Sequence, residues 1–344
     1  MDFKKVSEKM LTFDDVLIKP QFSKISSRKD VSISSKMGAL HLNIPVVSAN
    51  MDTVTDIEMA RAMHAQGAIG CLHRFWDIEK NAEAIKTLRS SGIEVIGSIG
   101  LGDYEFERAM ALIEAGANYL CIDVAHGAQL AVVDQFNKVL SNTKREVGIV
   151  IGNFATGESI KEFISLCKKE PMAFKVGIGG GSACLTRVQT GCGIPQLSAV
   201  IDCVKHNPNS NIISDGGKKT PGDIAKALAV GAKAVMLGSM LAGTDEAPGE
   251  LINSNFKKYR GSASMESYEV QGKVAKWRTF EGDSFLVPYK GSVSKVLQNI
   301  EGGLRSAFTY VGASSLQEFQ QKAEFVEISY STQKENIAHG KVNF

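Results

Sequence analysis

One short stretch, Lys175 to Arg187 (KVGIGGGSACLTR), sets two kinds of chemistry side by side. Gly179, Gly180 and Gly181 lead through Ser182 to Cys184, and Thr186 and Arg187 follow at once. A glycine run lets backbone N–H groups approach an anion closely. A cysteine in an N–H-rich or cationic setting is favoured as thiolate, the form that acts as a nucleophile. The competing reading is that Cys184 is a small buried apolar residue, as most cysteines are. Its loop position after a glycine run argues for the nucleophile. Cys192, in TGCGIPQ, is the nearest rival and has no equivalent setting.

Two other stretches bring glycines to places where phosphate could bind. Asp215-Gly216-Gly217 and Leu237-Gly238-Ser239 each end a short apolar run. Backbone N–H groups in such turns point at anionic ligands, although glycines there could equally serve only to make tight turns. Agreement between the two turns and Ser182 favours phosphate. Glu281, in KWRTFEGD, is a loop carboxylate whose ordinary fate is solvation. His126, in DVAHG, is open to three roles: ligand, base or structural histidine. No His/Cys/Asp spacing resembles a zinc site.

Those residues need a scaffold, and the apolar pattern supplies one. Short Val/Ile-rich runs at 44–50, 68–74, 94–100, 119–125, 147–154, 173–179, 211–217 and 234–240 read as parallel strands buried on both faces. Amphipathic stretches at 56–67, 104–116 and 220–231 sit between them, each ending at a glycine suited to a left-handed cap. Asp56 is a candidate N-cap, and Pro221 stands in a first turn where its missing N–H is harmless. Eight strand–helix units predict an α/β fold of the (β/α)8 TIM-barrel type, spanning 1–344 as one catalytic domain. The eighth helix is expected at 292–312 and a C-terminal tail at 313–344. Residues 243–291 are Gly/Ser-rich and poorly periodic, which suggests an active-site flap after the eighth strand. Ser48-Ala49-Asn50, His73-Arg74, Asp123, Asn153, the Cys184 loop and both glycine turns then fall at strand C-terminal ends, the catalytic side of such barrels.

Composition is that of an ordinary globular protein, 44% hydrophobic and 22% charged. The near-balance of 39 basic and 37 acidic residues gives no support for nucleic-acid or membrane-surface partners. Neither a signal peptide nor an apolar run of ~18 residues is evident. Six cysteines without CxxC pairs suit a reducing, cytoplasmic setting.

Taken together and in order, LTFDDVLIKP, PVVSANMDTVT, GIGGGSACLTR, SDGG and VMLGSMLAG resemble the IMP dehydrogenase/GMP reductase family over nearly the whole chain. The resemblance implies a barrel, a purine nucleotide monophosphate ligand (GMP or IMP), a covalent cysteine thioimidate and usually a homotetramer. Dehydrogenases usually carry a pair of regulatory CBS domains after the second strand, but only about twenty residues separate Arg74 from Val95 here, room for one helix. The RVQTGCGIPQLSAV continuation and the flap Trp277-Arg278-Thr279-Phe280-Glu281-Gly282 are similar to the reductase branch. That branch implies NADPH-dependent conversion of GMP to IMP and ammonia in purine salvage. The alternatives are an IMP dehydrogenase without the insert, a non-catalytic nucleotide-binding paralogue, or a flavin-dependent barrel oxidoreductase.

Carried over by motif, the resemblance makes Cys184 the nucleophile, and Thr186 with Glu281 a proton relay for departing ammonia. It implies nucleotide contacts at Ser182, Asp215, Gly216, Gly217, Gly238, Ser239, Gly261, Ser262, Arg278 and Gly282. NADPH would meet Asp123, Val124 and Ala125, with Ser27 and Arg28 of another subunit. Gly179, Gly181, Cys184 and Arg187 match a loop that holds a monovalent cation, K+. The chain departs from the family pattern at Gly180, where proline is usual, at Leu185, where threonine is usual, and at Ser262-Ala263. Arg74 and Ile99 replace a lysine and a threonine of the ammonia-handling network, and arginine does not readily give up a proton.

Overall fold

A computed structural model describes residues 9–270 and 279–336. The eight apolar runs form eight parallel strands: Val46–Ser48, Ile69–Leu72, Val95–Ile99, Tyr119–Asp123, Gly148–Phe154, Ala173–Val176, Ile212–Asp215 and Ala234–Leu237. Each pairs with the next, and the eighth pairs with the first, closing the barrel as expected. Every strand but the fifth, which runs to Phe154, stops short of its apolar run at the C-terminal end. The residues left over are those that carry the chemistry.

The helices start and stop for local reasons. Asp56 caps Ile57–Ala65 by accepting the Glu58 N–H at 3.0 Å, and Gly67 follows at φ +75°. Thr220 and Asp223 form a reciprocal capping box around Pro221–Ala229, with Pro221 in the first turn. The interval after Arg74 holds one helix, Ile78–Ser90. Between the strands and the helix Gly157–Leu166, Phe154, Phe163 and Phe174 meet edge-to-face with centroids 5.3–6.1 Å apart.

Three additions to the plain barrel were not legible in the sequence. A hairpin of Ser35–Met37 and Leu40–Leu42 inserts Met37, Leu40 and Leu42 into the barrel interior against Val47, Ile96, Cys121 and Ala234. The flap contains a second hairpin, Phe256–Arg260 with Ser284–Pro288, and a short helix, Met265–Val270. The tail is docked: after helix Leu316–Lys322, Phe325–Glu327 pairs antiparallel with Val16–Ile18. The eighth helix, Val293–Val311, falls where expected and packs on the helices Pro221–Ala229 and Ile57–Ala65 and on the tail helix. Among the described residues no helix is long and apolar enough to cross a membrane.

Candidate active site

A cavity of about 490 Å³ occupies the C-terminal mouth of the barrel. It is lined by residues from the Cys184 loop, both glycine turns, the flap and the end of the fourth strand. The two glycine runs touch backbone to backbone. A Cβ on Gly216, whose φ is +83°, would lie 2.9 Å from Gly181 N, and one on Gly177 would lie 1.9 Å from Asp215 O. Only glycine allows that approach, so the Cys184 loop and the Asp215 turn are held in fixed register.

Cys184 is half-buried. Its Sγ lies 3.1 Å from Thr186 Oγ1, and its N–H donates to Gly181 O at 3.0 Å. Thr186 opens a short helix, Thr186–Thr190, whose N-cap Leu185 supplies no side-chain cap. The Leu185 N–H is satisfied instead by the flap, donating to Glu281 O at 2.7 Å. Asp283 N donates to Ala183 O at 2.9 Å, while Glu281 and Gly282 N–H groups both reach Ala263 O at 3.1 Å. The flap therefore lies along the nucleophile loop, joined by one antiparallel bridge between Cys184 and Gly282. Gly261 and Gly282 permit the contact, since a Cβ on Gly282 would meet Ser264 N at 2.8 Å. At the flap's base, Arg260 grips Asp52 with two nitrogens and Glu266 Oε1 with a third at 3.0 Å.

Under the cavity floor lies an ion network that sequence reading missed. Lys175, on the sixth strand and 1% exposed, places Nζ 2.5 Å from Asp123 Oδ1 and 3.4 Å from Asp215 Oδ2. Asn153 Nδ2 donates to the same Asp215 oxygen at 2.9 Å and to Gly177 O at 2.7 Å. Burial works against the Lys175 charge, but the two carboxylates outweigh it and hold its pKa well above the ordinary value. Burial likewise opposes ionisation of Asp123, yet Lys175, Arg74 and an Asn50 hydrogen bond keep its carboxyl below the usual range. The floor thus presents two carboxylates, Asp123 and Asp215, tied to one buried ammonium.

Tyr259, a second missed residue, is buried on the first flap strand. Its hydroxyl would lie 2.7 Å from a Cβ on Gly238 and hydrogen-bonds Ser182, so it joins the Gly238-Ser239 turn to the Cys184 loop. Burial raises its pKa, keeping the phenol a donor.

The other sequence expectations fall as follows. Ser182, Asp215, Gly216, Gly217, Gly238, Ser239, Gly261, Ser262 and Gly282 all line the cavity, as do Glu281, Thr186, Asp123, Val124 and Ala125. Arg278 lies outside the described residues. Gly179 and Gly181 line the cavity beside Cys184. The Arg187 stem packs on Gly179 and Gly193, and its Nη2 donates to Ile194 O at 2.6 Å. Ser27 caps a surface turn of three residues, and the Arg28 carbonyl accepts from Arg305 on the last long helix, away from this barrel's own cavity. His126 is exposed outside the cavity, and Cys192 is exposed. Arg74 lines the cavity with its guanidinium against Gly100, whereas Ile99 is fully buried behind it.

The geometry can hold a phosphate on two glycine turns, a polyol over a carboxylate, and an electrophile above a thiol with a hydroxyl beside it. The chain's similarities agree with that inventory. The GMP reductase of Vibrio atlanticus is 39% identical, the match covering 97% of this chain and 98% of that protein. The GMP reductase of Onchocerca volvulus is 36% identical, with 96% and 94% covered. Among solved structures, a GMP reductase variant of Trypanosoma brucei in complex with guanosine 5′-monophosphate superposes with a TM-score of 0.92 at 26% identity, covering 99% of this chain and all of that one. Residues 10–339 match the family described as IMP dehydrogenase/GMP reductase domain. With barrel, cysteine loop and glycine turns in the order the motifs require, the chain belongs to the IMP dehydrogenase/GMP reductase family.

Proposed function

We propose that this protein is a GMP reductase, converting GMP to IMP and ammonia with NADPH in purine nucleotide salvage. The carrying observation is the 3.1 Å contact between Cys184 Sγ and Thr186 Oγ1, made in a loop to which the flap segment bearing Glu281 is hydrogen-bonded. The full-length similarity to GMP reductases supports the same reading. In it, Gly216-Gly217, Gly238-Ser239, Ser182 and Tyr259 receive the phosphate, with Gly261, Ser262, Gly282 and Arg278 closing over the nucleotide. Asp215, held by Lys175 and Asn153, receives the ribose hydroxyls.

The purine C2 then lies over Cys184. The thiolate adds to C2, and the exocyclic amino group takes a proton and leaves as ammonia, giving a thioimidate. Thr186 is the first proton partner, because its hydroxyl already touches the sulfur; Glu281 reaches it when the flap tightens. Asp123, Val124 and Ala125 line the same cavity as Cys184, so the residues present fit a nicotinamide approaching from that side. When bound, NADPH supplies the hydride that replaces sulfur at C2 and frees IMP. In the same reading a monovalent cation, K+, would be held by backbone oxygens of the Gly179, Gly181, Cys184 and Arg187 loop and would stiffen that loop rather than react. Ser27 and Arg28 serve a neighbouring subunit's cofactor in a homotetramer, and all six cysteines being free accords with a cytoplasmic setting.

Purified protein given GMP and NADPH should consume NADPH and release one ammonia per turnover. NADH formation from IMP and NAD, with no turnover of GMP, would establish a dehydrogenase instead.

A further inference from the structure

Both glycine turns rest on lysines, Lys218 buried and Lys290 half-buried. Lys218 follows Gly216-Gly217 directly and is 5% exposed. Its ammonium donates to Gly216 O at 2.7 Å, Ser214 O at 2.8 Å and Ser214 Oγ at 3.2 Å. Lys290, leaving the second flap strand, does the same beneath the other turn, reaching Ser239 O at 2.5 Å, Ala242 O at 2.8 Å and Met240 O at 3.3 Å. Every one of these acceptors is a neutral oxygen.

The charged groups around Lys218 are already engaged elsewhere. Asp215, on its own strand, is shared by Lys175 and Asn153. Asp223, on the following helix, caps that helix and lies 3.6 Å from Lys226. Lys226 donates to Phe13 O, Lys219 pairs with Asp14 at the surface, and the Phe13 ring lies 5.9 Å from the Lys218 ammonium. A buried cation that lacks a carboxylate of its own is costly, and at a ligand-facing turn the missing counter-charge can arrive with the ligand.

We propose that Lys218 is a positioning residue for a phosphate monoester dianion. Its amino group draws the carbonyls of the Ser214–Gly216 turn inward, leaving the N–H groups of the turn for the phosphate, and the arriving dianion supplies the counter-charge that favours its protonated form. Lys290 backs the Gly238-Ser239 turn in the same way. The inference rests on the nucleotide reading of this cavity and adds to it how the phosphate is recognised. Burial also holds Lys218 at a pKa of about 7 despite Asp215 and Asp223. At about pH 8 the free protein therefore carries it mostly neutral, while a phosphate monoester is already dianionic. Binding should then pull a proton onto the lysine.

Titration calorimetry at about pH 8, in two buffers of different ionisation enthalpy, reads this directly with GMP and guanosine as probes. The expected result is uptake of most of one proton with GMP and none with guanosine. Lys218→Met should abolish the uptake and cut the preference for GMP over guanosine by roughly tenfold, with guanosine affinity kept within about twofold. GMP binding without proton uptake by the unaltered protein overturns the inference, and that measurement stands even if the variant does not fold. An undiminished preference in folded Lys218→Met overturns it too. If the unaltered protein does not prefer GMP to guanosine, the nucleotide reading itself fails.

Discussion

The Leu185 N–H donates to the Glu281 carbonyl at 2.7 Å, so the residue after the nucleophile and the flap's carboxylate residue are joined through the backbone. The relay expected between Thr186 and Glu281 thus has one half at the start of the Thr186–Thr190 helix and the other on the flap segment bonded to the residue before it. The Thr186 hydroxyl is already at the sulfur, and what reaches the loop from Glu281 is its main chain.

That junction has little tolerance. Gly282→Ala would bring a methyl group to 2.8 Å from Ser264 N and 3.0 Å from Ala263 C, both backbone atoms that cannot swing away. We expect kcat to fall by at least ~10-fold, about 1.4 kcal/mol in the barrier, with a small change in melting temperature. A variant as fast as the parent would show that the flap strand need not sit on the loop.

Thr186→Val keeps the shape of the side chain and removes the hydroxyl beside Cys184. Loss of a proton partner of this kind costs roughly 10²-fold or more in kcat. Nucleotide affinity should change little, and Thr186→Ser should restore most of the rate. A drop in affinity equal to the drop in rate would assign Thr186 to binding alone.

Lys175→Met would strand Asp123 and Asp215 at the cavity floor. Removing one partner of a buried pair typically costs about 3–5 kcal/mol, and urea unfolding should report a loss of that order. Adding Asp123→Asn should recover part of it, since the pair is coupled. Additive losses would mean the contact carries no energy.

The pH dependence of stability should carry a histidine signature. Burial, with the nearby charges of Lys80, Arg108 and Arg260, lowers His73 from 6.5 to about 3. Its Nδ1 accepts the Phe75 N–H at 3.1 Å, which requires the neutral ring. Between those two pKa values the unfolded chain binds a proton that the folded chain does not. Stability therefore falls as pH drops through that window, by up to ~1.4 kcal/mol per unit. His73→Asn, which keeps an acceptor but cannot titrate, should show a shallower acid limb in denaturant titrations between about pH 6 and 4. Parallel limbs would contradict the assignment.

What could be read in the sequence was what is local. Parallel strands buried on both faces give unbroken runs such as IPVVSAN, and the nucleophile loop is contiguous, so barrel and cysteine both showed. The flap hairpin did not show, because its strands stand more than twenty residues apart and FKKYR breaks the usual alternation, with Phe256 exposed and Lys257 buried. Tyr259, Lys218 and Lys290 become site residues only through contacts that folding creates. Lys175 left one trace, a lysine inside the apolar run AFKVGIG, where a charge has to find a partner.

Met37, Leu40 and Leu42 stopper the far end of the barrel. The cavity is consequently a well with a single mouth, and nothing that enters can leave by the bottom. If the purine lies on Cys184 and the nicotinamide lies toward Ala125, nearer the rim, traffic becomes a stack: the cofactor goes in last and comes out first. Spent cofactor left in place would trap the nucleotide product beneath it, so in steady-state kinetics product inhibition should reveal an ordered sequence of release.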